Sequence, residues 1–162
     1  MPKIPYQFVQ EQYSYPEQYS ESYGSYASVS MGSPIIGLAI PSKGPGTTPV
    51  TTCTVTNTGN GPITFDIQGT HYPKGTPQGG QYTQVPTNRI ANETLAAGAS
   101  KNYTLTAPNV DSNWVNGDWK TQVGCFLPGT STPVTGGLSA FLDPSFTVTV
   151  VTGVSITALV VT

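Results

Sequence analysis

The sequence predicts an all-β chain built from two packed antiparallel sheets. Gly and Pro supply 33 of its 162 residues, a composition suited to many short strands joined by tight turns. Short runs of Val, Ile, Thr and aromatic residues alternate with polar ones at the period of a half-buried strand, and no window carries a 3.6-residue apolar period. The most informative run is Pro49 to Ile67, PVTTCTVTNTGNGPITFDI. In it Val50 to Asn57 alternate, Asn57 to Pro62 break the pattern with residues that favour turns, and Ile63, Phe65 and Ile67 resume it. The expected local structure is an antiparallel hairpin with one buried face.

Residues 1–33 stand apart from this body as an extended arm, and residues 34–162 are expected to form the sandwich. The arm holds Lys3, Glu11, Glu17 and Glu21, so it carries the whole formal charge of −2, while five basic residues balance five acidic ones in the rest. It also holds six of the nine tyrosines, Tyr6, Tyr13, Tyr15, Tyr19, Tyr23 and Tyr26, among Gln, Ser and Glu. Too few aliphatic residues accompany them to build a core, so the arm is expected to be extended by itself and to order in an assembly. Its opening, Met1 to Tyr6, lacks the apolar stretch of a secretory signal, which leaves export after processing or by another route.

Within the body, Ile35, Ile36, Leu38 and Ile40 mark a first strand over 34–40, of which Ile35, Ile36 and Leu38 are expected to act with the arm tyrosines in assembly. The central pair follows. Residues 69–88 read as a long irregular connection with a short strand near 81–85, and His71 is placed in that loop. After the turn Ala96 to Ser100, Tyr103 and Leu105 share one face of a strand over 102–106. A polar loop then leads to a strand over 119–126, with Trp119, Thr121, Val123 and Cys125 on one face and Lys120, Gln122 and Gly124 on the other. A second loop spans PGTSTPVTGG. Two last strands, 146–151 and 154–161, flank Thr152-Gly153. Eight or nine strands suffice for two sheets.

Charge and length exclude several functions. The charged fraction is 9%, against about 25% in ordinary soluble domains. The one Arg and five Lys are scattered, which gives no basic stripe for nucleic acid. No run reaches the roughly 20 apolar residues of a membrane helix. Cys53 and Cys125 lie on strands of opposite sheets and are expected to meet across the core. A disulfide there would be worth about 4 kcal/mol in the chain-entropy model. Buried free thiols are the alternative.

Three runs, VTNTGNGPITFDI, TLAAGASKNYTLTAP and GDWKTQVGCF, together resemble the immunoglobulin-like domains of archaeal and bacterial surface proteins, especially the CARDB-type cell-adhesion-related domain. The likeness lies in a strand ending in an N-T-G turn, then an L-x-x-G-x-S turn and a strand of Thr and apolar residues. It runs from about Pro34 to Phe126. Phe65 stands where an antibody domain carries its core Trp, and Val123 stands where a tyrosine corner would precede Cys125. The resemblance implies an immunoglobulin-like sandwich, a jelly roll being the alternative, and an extracellular structural or adhesive module without catalytic residues.

The residues offer no chemistry. His71 is the single histidine and has no nucleophile or acid arranged around it. Two cysteines and one histidine cannot fill a tetrahedral metal shell. Asp111 and Asp118 share a loop but are too few for calcium without help from carbonyls. No cofactor is expected. Two sequons, at Asn92 and Asn102, would accept N-linked glycan if the chain meets that machinery. Trp114, Tyr72 and Tyr82 could line a sugar-binding face, whereas Trp119 alternates with Cys125 and reads as core. The expected function is therefore a non-enzymatic subunit of an extracellular filament or virion surface, binding copies of itself or other subunits through its arm and terminal strands. The competing expectation is an adhesion or carbohydrate-binding module on a cell surface.

Overall fold

A computed structural model describes residues 27–32 and 42–150. Nine strands are present: β1 (Val29–Met31), β2 (Ser42–Lys43), β3 (Val50–Asn57), β4 (Ile63–Pro73), β5 (Val85–Leu95), β6 (Ser100–Thr106), β7 (Gly117–Phe126), β8 (Pro133–Leu138) and β9 (Leu142–Val148). They form a three-stranded sheet, β1-β3-β6, and a larger one, β2-β9-β7-β4-β5, in which β8 also pairs with β7. Every pairing between adjacent strands is antiparallel except β2 with β9. In the immunoglobulin scheme this order corresponds to strands A, B and E on one sheet and C, F and G on the other, with β5 beside C. That connectivity makes the sandwich immunoglobulin-like and removes the jelly roll.

Alternation in the central run holds on both strands, but the pairing differs from the expected hairpin. β3 pairs with β1 and β6, whereas β4 pairs with β5 and β7. The turn between them is an arch from one sheet to the other. Asn57 is fully buried at its start. Its amide donates to Gly61 O and Leu95 O, both at 2.9 Å, and its Oδ1 accepts from Gly59 N–H at 2.9 Å. One buried side chain thus satisfies the backbone groups that the arch exposes.

Two further expectations change. The connection read over 69–88 is shorter, because β4 continues to Pro73 and β5 begins at Val85. β4 pairs with β7 through Pro73↔Trp119, and that long ladder carries the strand past the turn-like glycine and prolines. At the N-terminal side, Val29 to Met31 form β1 within the range read as arm, and Val29 packs in the core. The expected strand over 34–40, with Ile35, Ile36 and Leu38, the six arm tyrosines and the strand over 154–161 lie outside the described residues.

The core divides along the strands. At the arch end, Val55, Ile63, Phe65, Ile67, Leu105, Val123 and both cysteines form an aliphatic and thiol cluster. At the other end, Trp114, Trp119, Phe146, Val110 and Val148 form an aromatic one. Trp119 and Phe146 are stacked, with ring centroids 6.1 Å apart and planes 8° from parallel.

Candidate functional site

Cys53 lies on β3 and Cys125 on β7, the positions of strands B and F, where antibody domains place their inter-sheet disulfide. The expected bridge is not formed: both are buried free thiols in one cluster. Burial pushes Cys53 up to about 11, and burial with the neighbouring Cys53 pushes Cys125 up to about 12. Thiol–disulfide exchange needs a thiolate, so the same apolar packing that brings the pair together holds both in their unreactive form.

His71 is not on a surface loop. It is fully buried on β4 within the aromatic half, 5.1 Å from the Phe146 ring centroid and edge-on to it. A hydrogen-bond chain fixes its tautomer. Ser145 Oγ donates to Trp119 O at 2.9 Å, and Thr121 Oγ1 donates to Ser145 Oγ at 2.8 Å. The His71 Nδ1–H must therefore donate to Thr121 Oγ1, 2.7 Å away. Nε2 is left as a bare acceptor without a partner. Burial lowers the imidazole pKa to about 4. The neutral ring is locked among aromatics and hydroxyls without access to solvent, where it serves packing.

Asp66 is the most connected acid. On the outer side of β4, it accepts from Asn92 N–H at 2.8 Å, Gly129 N–H at 2.9 Å and Arg89 Nε–H at 3.0 Å. The two backbone donors, with Arg89 behind them, hold its carboxyl below the usual carboxylate range. Asp66 thereby ties β5 and the β7–β8 turn to β4. Asn92 takes a positive φ of 55° to present its N–H there, a conformation that asparagine tolerates. The sequence marked Asn92 only as a sequon; its exposed side chain remains outside this knot. Asn102 is exposed on β6, where its Oδ1 accepts from Thr54 Oγ1 at 2.7 Å.

Asp111 and Asp118 each have a hydrogen-bond donor of their own. Asp111 accepts from Asn113 N–H within its own loop, and Asp118, on β7, accepts from Thr147 Oγ1, each at 2.8 Å. Among the described residues no three His, Cys, Asp or Glu side chains could share a metal. Trp114, read as a sugar-binding candidate, is core, 1% exposed, and donates its indole N–H to Asn109 O. Among the described residues no helix is long and apolar enough to cross a membrane.

What the fold leaves accessible is strand edge and sheet face. Ala107 N–H donates to Pro49 O and Asn57 N–H to Ala99 O, which fixes the hydrogen-bonded phase of the β3–β6 ladder. The backbone groups of Ser100, Asn102 and Thr104 consequently point away from β3, toward the side of β6 where no described strand pairs. Thr106 N–H is capped there by Asn88 Oδ1 at 2.7 Å. The outer face beside that edge is made of short uncharged side chains, Thr52, Thr54, Thr56, Ser100, Asn102 and Thr104.

No protein-family model matches the chain, and no curated protein does. Among solved structures, a β-glucosidase involved in saponin metabolism from intestinal bacteria is similar at 18% identity and a TM-score of 0.51, over 76% of this chain and 16% of that one. A β-glucosidase from Streptomyces venezuelae in complex with D-glucose gives 18% identity and a TM-score of 0.49, over 72% and 14%. The CARDB domain of a Pyrococcus furiosus protein, in complex with di-metal ions, gives 12% identity and a TM-score of 0.45, over 78% of this chain and 96% of that domain. The chain thus spans about one sixth of the length of the glucosidases. At these identities the likeness is one of fold: a β-sandwich.

Proposed function

We propose that this protein is a non-enzymatic structural subunit of an extracellular assembly, a filament or virion surface, joined to its neighbours through the N-terminal arm and exposed strand edges. The observation that carries the reading is the side of β6 that no described strand pairs, where Ser100, Asn102 and Thr104 turn their backbone groups away from β3. Such an edge templates another strand. Its neighbouring face of hydroxyls and amides carries no charge to desolvate. His71 is occupied in packing and Asp66 in tying β5 and the β7–β8 turn to β4.

The arm supplies the second half of the reading. Its tyrosines give large contact area with a polar end, and the segment Ile35, Ile36 and Leu38 follows it with apolar side chains. The partners are copies of the chain or other subunits, and glycan at Asn92 or Asn102 would supply hydration that so few charges leave short. The adhesion or carbohydrate-binding alternative keeps Tyr72 and Tyr82 but loses Trp114 to the core. Light scattering with negative-stain imaging of the natively isolated protein tests the assembly. Filaments or shells are expected, and a clean monomer near 17 kDa would sink the reading. Removing 1–26, which spares β1, is expected to leave a folded monomer.

A further inference from the structure

The outer face of the larger sheet differs from that of the smaller one. Phe141 is 45% exposed and Leu138 is 49% exposed. Tyr72 meets Phe141 edge-on, with centroids 5.9 Å apart, and Lys120 Nζ sits 4.6 Å from the Phe141 ring centroid. Lys74, Arg89 and Lys101 each pair with a carboxylate, Asp143, Asp66 and Glu93 respectively. Lys120 forms no such pair among the described residues. The face therefore offers aromatic surface beside an unneutralised cation, and the chain's net negative charge lies in a segment of tyrosines and glutamates.

The topology places the two at opposite ends. Ser28 bridges Thr135, and Val29 pairs with Asn57 at the arch end of β3. β1 thus begins at that end, level with Phe126 on β7 through the pairing Phe126↔Pro133. Tyr72 pairs with Lys120 near the other end of the same ladder. At 3.3–3.4 Å per residue, the Phe126 and Lys120 levels are about 20 Å apart along the strands. Residues 1–26 reach about 85–90 Å when extended. An arm that runs on along the axis of β1 meets the Tyr72 end of a following copy, whereas docking on its own face requires it to reverse. Departure at one end and reception at the other is a heterologous, head-to-tail contact, which propagates into filaments when it does not close.

We propose that the Tyr72, Lys120 and Phe141 face receives the acidic tyrosine arm of a second copy of this chain, head to tail. This rests on the assembly reading above and names its acceptor surface. Lys120 would neutralise an arm glutamate, and Phe141 with Leu138 would be covered by arm tyrosine rings.

The test uses the full chain, a Phe141→Ser/Lys120→Glu variant altered only on the exposed face, and a protein lacking 1–26. In sedimentation, the face variant is expected to need at least about tenfold more protein than wild type to assemble, a difference of about 1.4 kcal/mol. Mixed one to one, the armless protein and the face variant are expected to form heterodimers, since one retains the face and the other the arm. Wild-type chains that stay monomeric would overturn the assembly reading and this inference together. Wild-type assembly undiminished in the face variant would overturn the acceptor face alone, and failure of the two defective proteins to pair would overturn exchange between copies.

Discussion

The two halves of the core solve the same packing problem with different chemistry. The arch half buries aliphatic residues and two thiols, which lose little by leaving water as long as they stay protonated. The aromatic half buries an imidazole together with a chain of hydroxyls. In the first half the thiols stay protonated throughout the acid and neutral range, so their packing does not respond to acid. In the second, stability depends on shape and on proton concentration, because His71 has room for a neutral ring and no partner for a second proton.

Three perturbations separate the halves. The largest effect is expected from Trp119→Ala. It removes a fully buried ring stacked on Phe146 and an indole N–H bonded to Val115 O at 2.8 Å, so chemical denaturation should show a loss of about 3–5 kcal/mol. A loss under about 1 kcal/mol would mean that the aromatic half is not a packed core.

Acid comes next. His71 titrates near 6.5 unfolded and at about 4 folded, so the unfolded chain binds more protons between those values. Stability is full above 6.5, falls as the pH drops through that window, and by pH 4 is lower by up to about 3 kcal/mol. Urea midpoints of wild type and His71→Phe, measured from pH 7 to 4, check this. The variant should lack that slope, and parallel curves would assign the acid sensitivity elsewhere.

The smallest effect is expected in the arch half. Cys53→Val nearly conserves volume and should cost less than about 1.5 kcal/mol. A thiol-reactive dye should label neither cysteine in the native protein and both once it is unfolded. Fast native labelling would contradict the buried, protonated pair.

Which residues face the core was legible in the sequence to a useful depth. Alternation correctly assigned Trp119, Thr121, Val123 and Cys125 to one buried face and Ile63, Phe65 and Ile67 to another. Alternation reports a strand's face but not its partner, so a turn between two good strands read as a hairpin when it is an arch. The deciding signal was Asn57, a polar residue at an inward position of the alternation. β5 was the hardest strand to see. Its middle, Asn88 to Thr94, has little apolar periodicity and is held by pairing with β4 and by Asp66. His71 was misplaced for a related reason: Gly69, Pro73 and Gly75 resemble a loop locally, while the ladder to β7 keeps the backbone extended. On the candidate acceptor face, Lys120 and Gln122 were read as outward, but Phe141 gave no signal because it lies among turn residues between two strands.

β1 joins three residues to β3 in antiparallel register, and its root is held against β8 so closely that a Cβ on Gly136 would stand 2.2 Å from Val29 O. Gly136 also takes a positive φ of 71°, so no other residue fits that seat without strain. A pull along the axis of β1 acts across all the β1–β3 hydrogen bonds together rather than peeling them one at a time. A pull from outside loads the ladder in shear, and the short strand resists as a unit in the manner of a rivet.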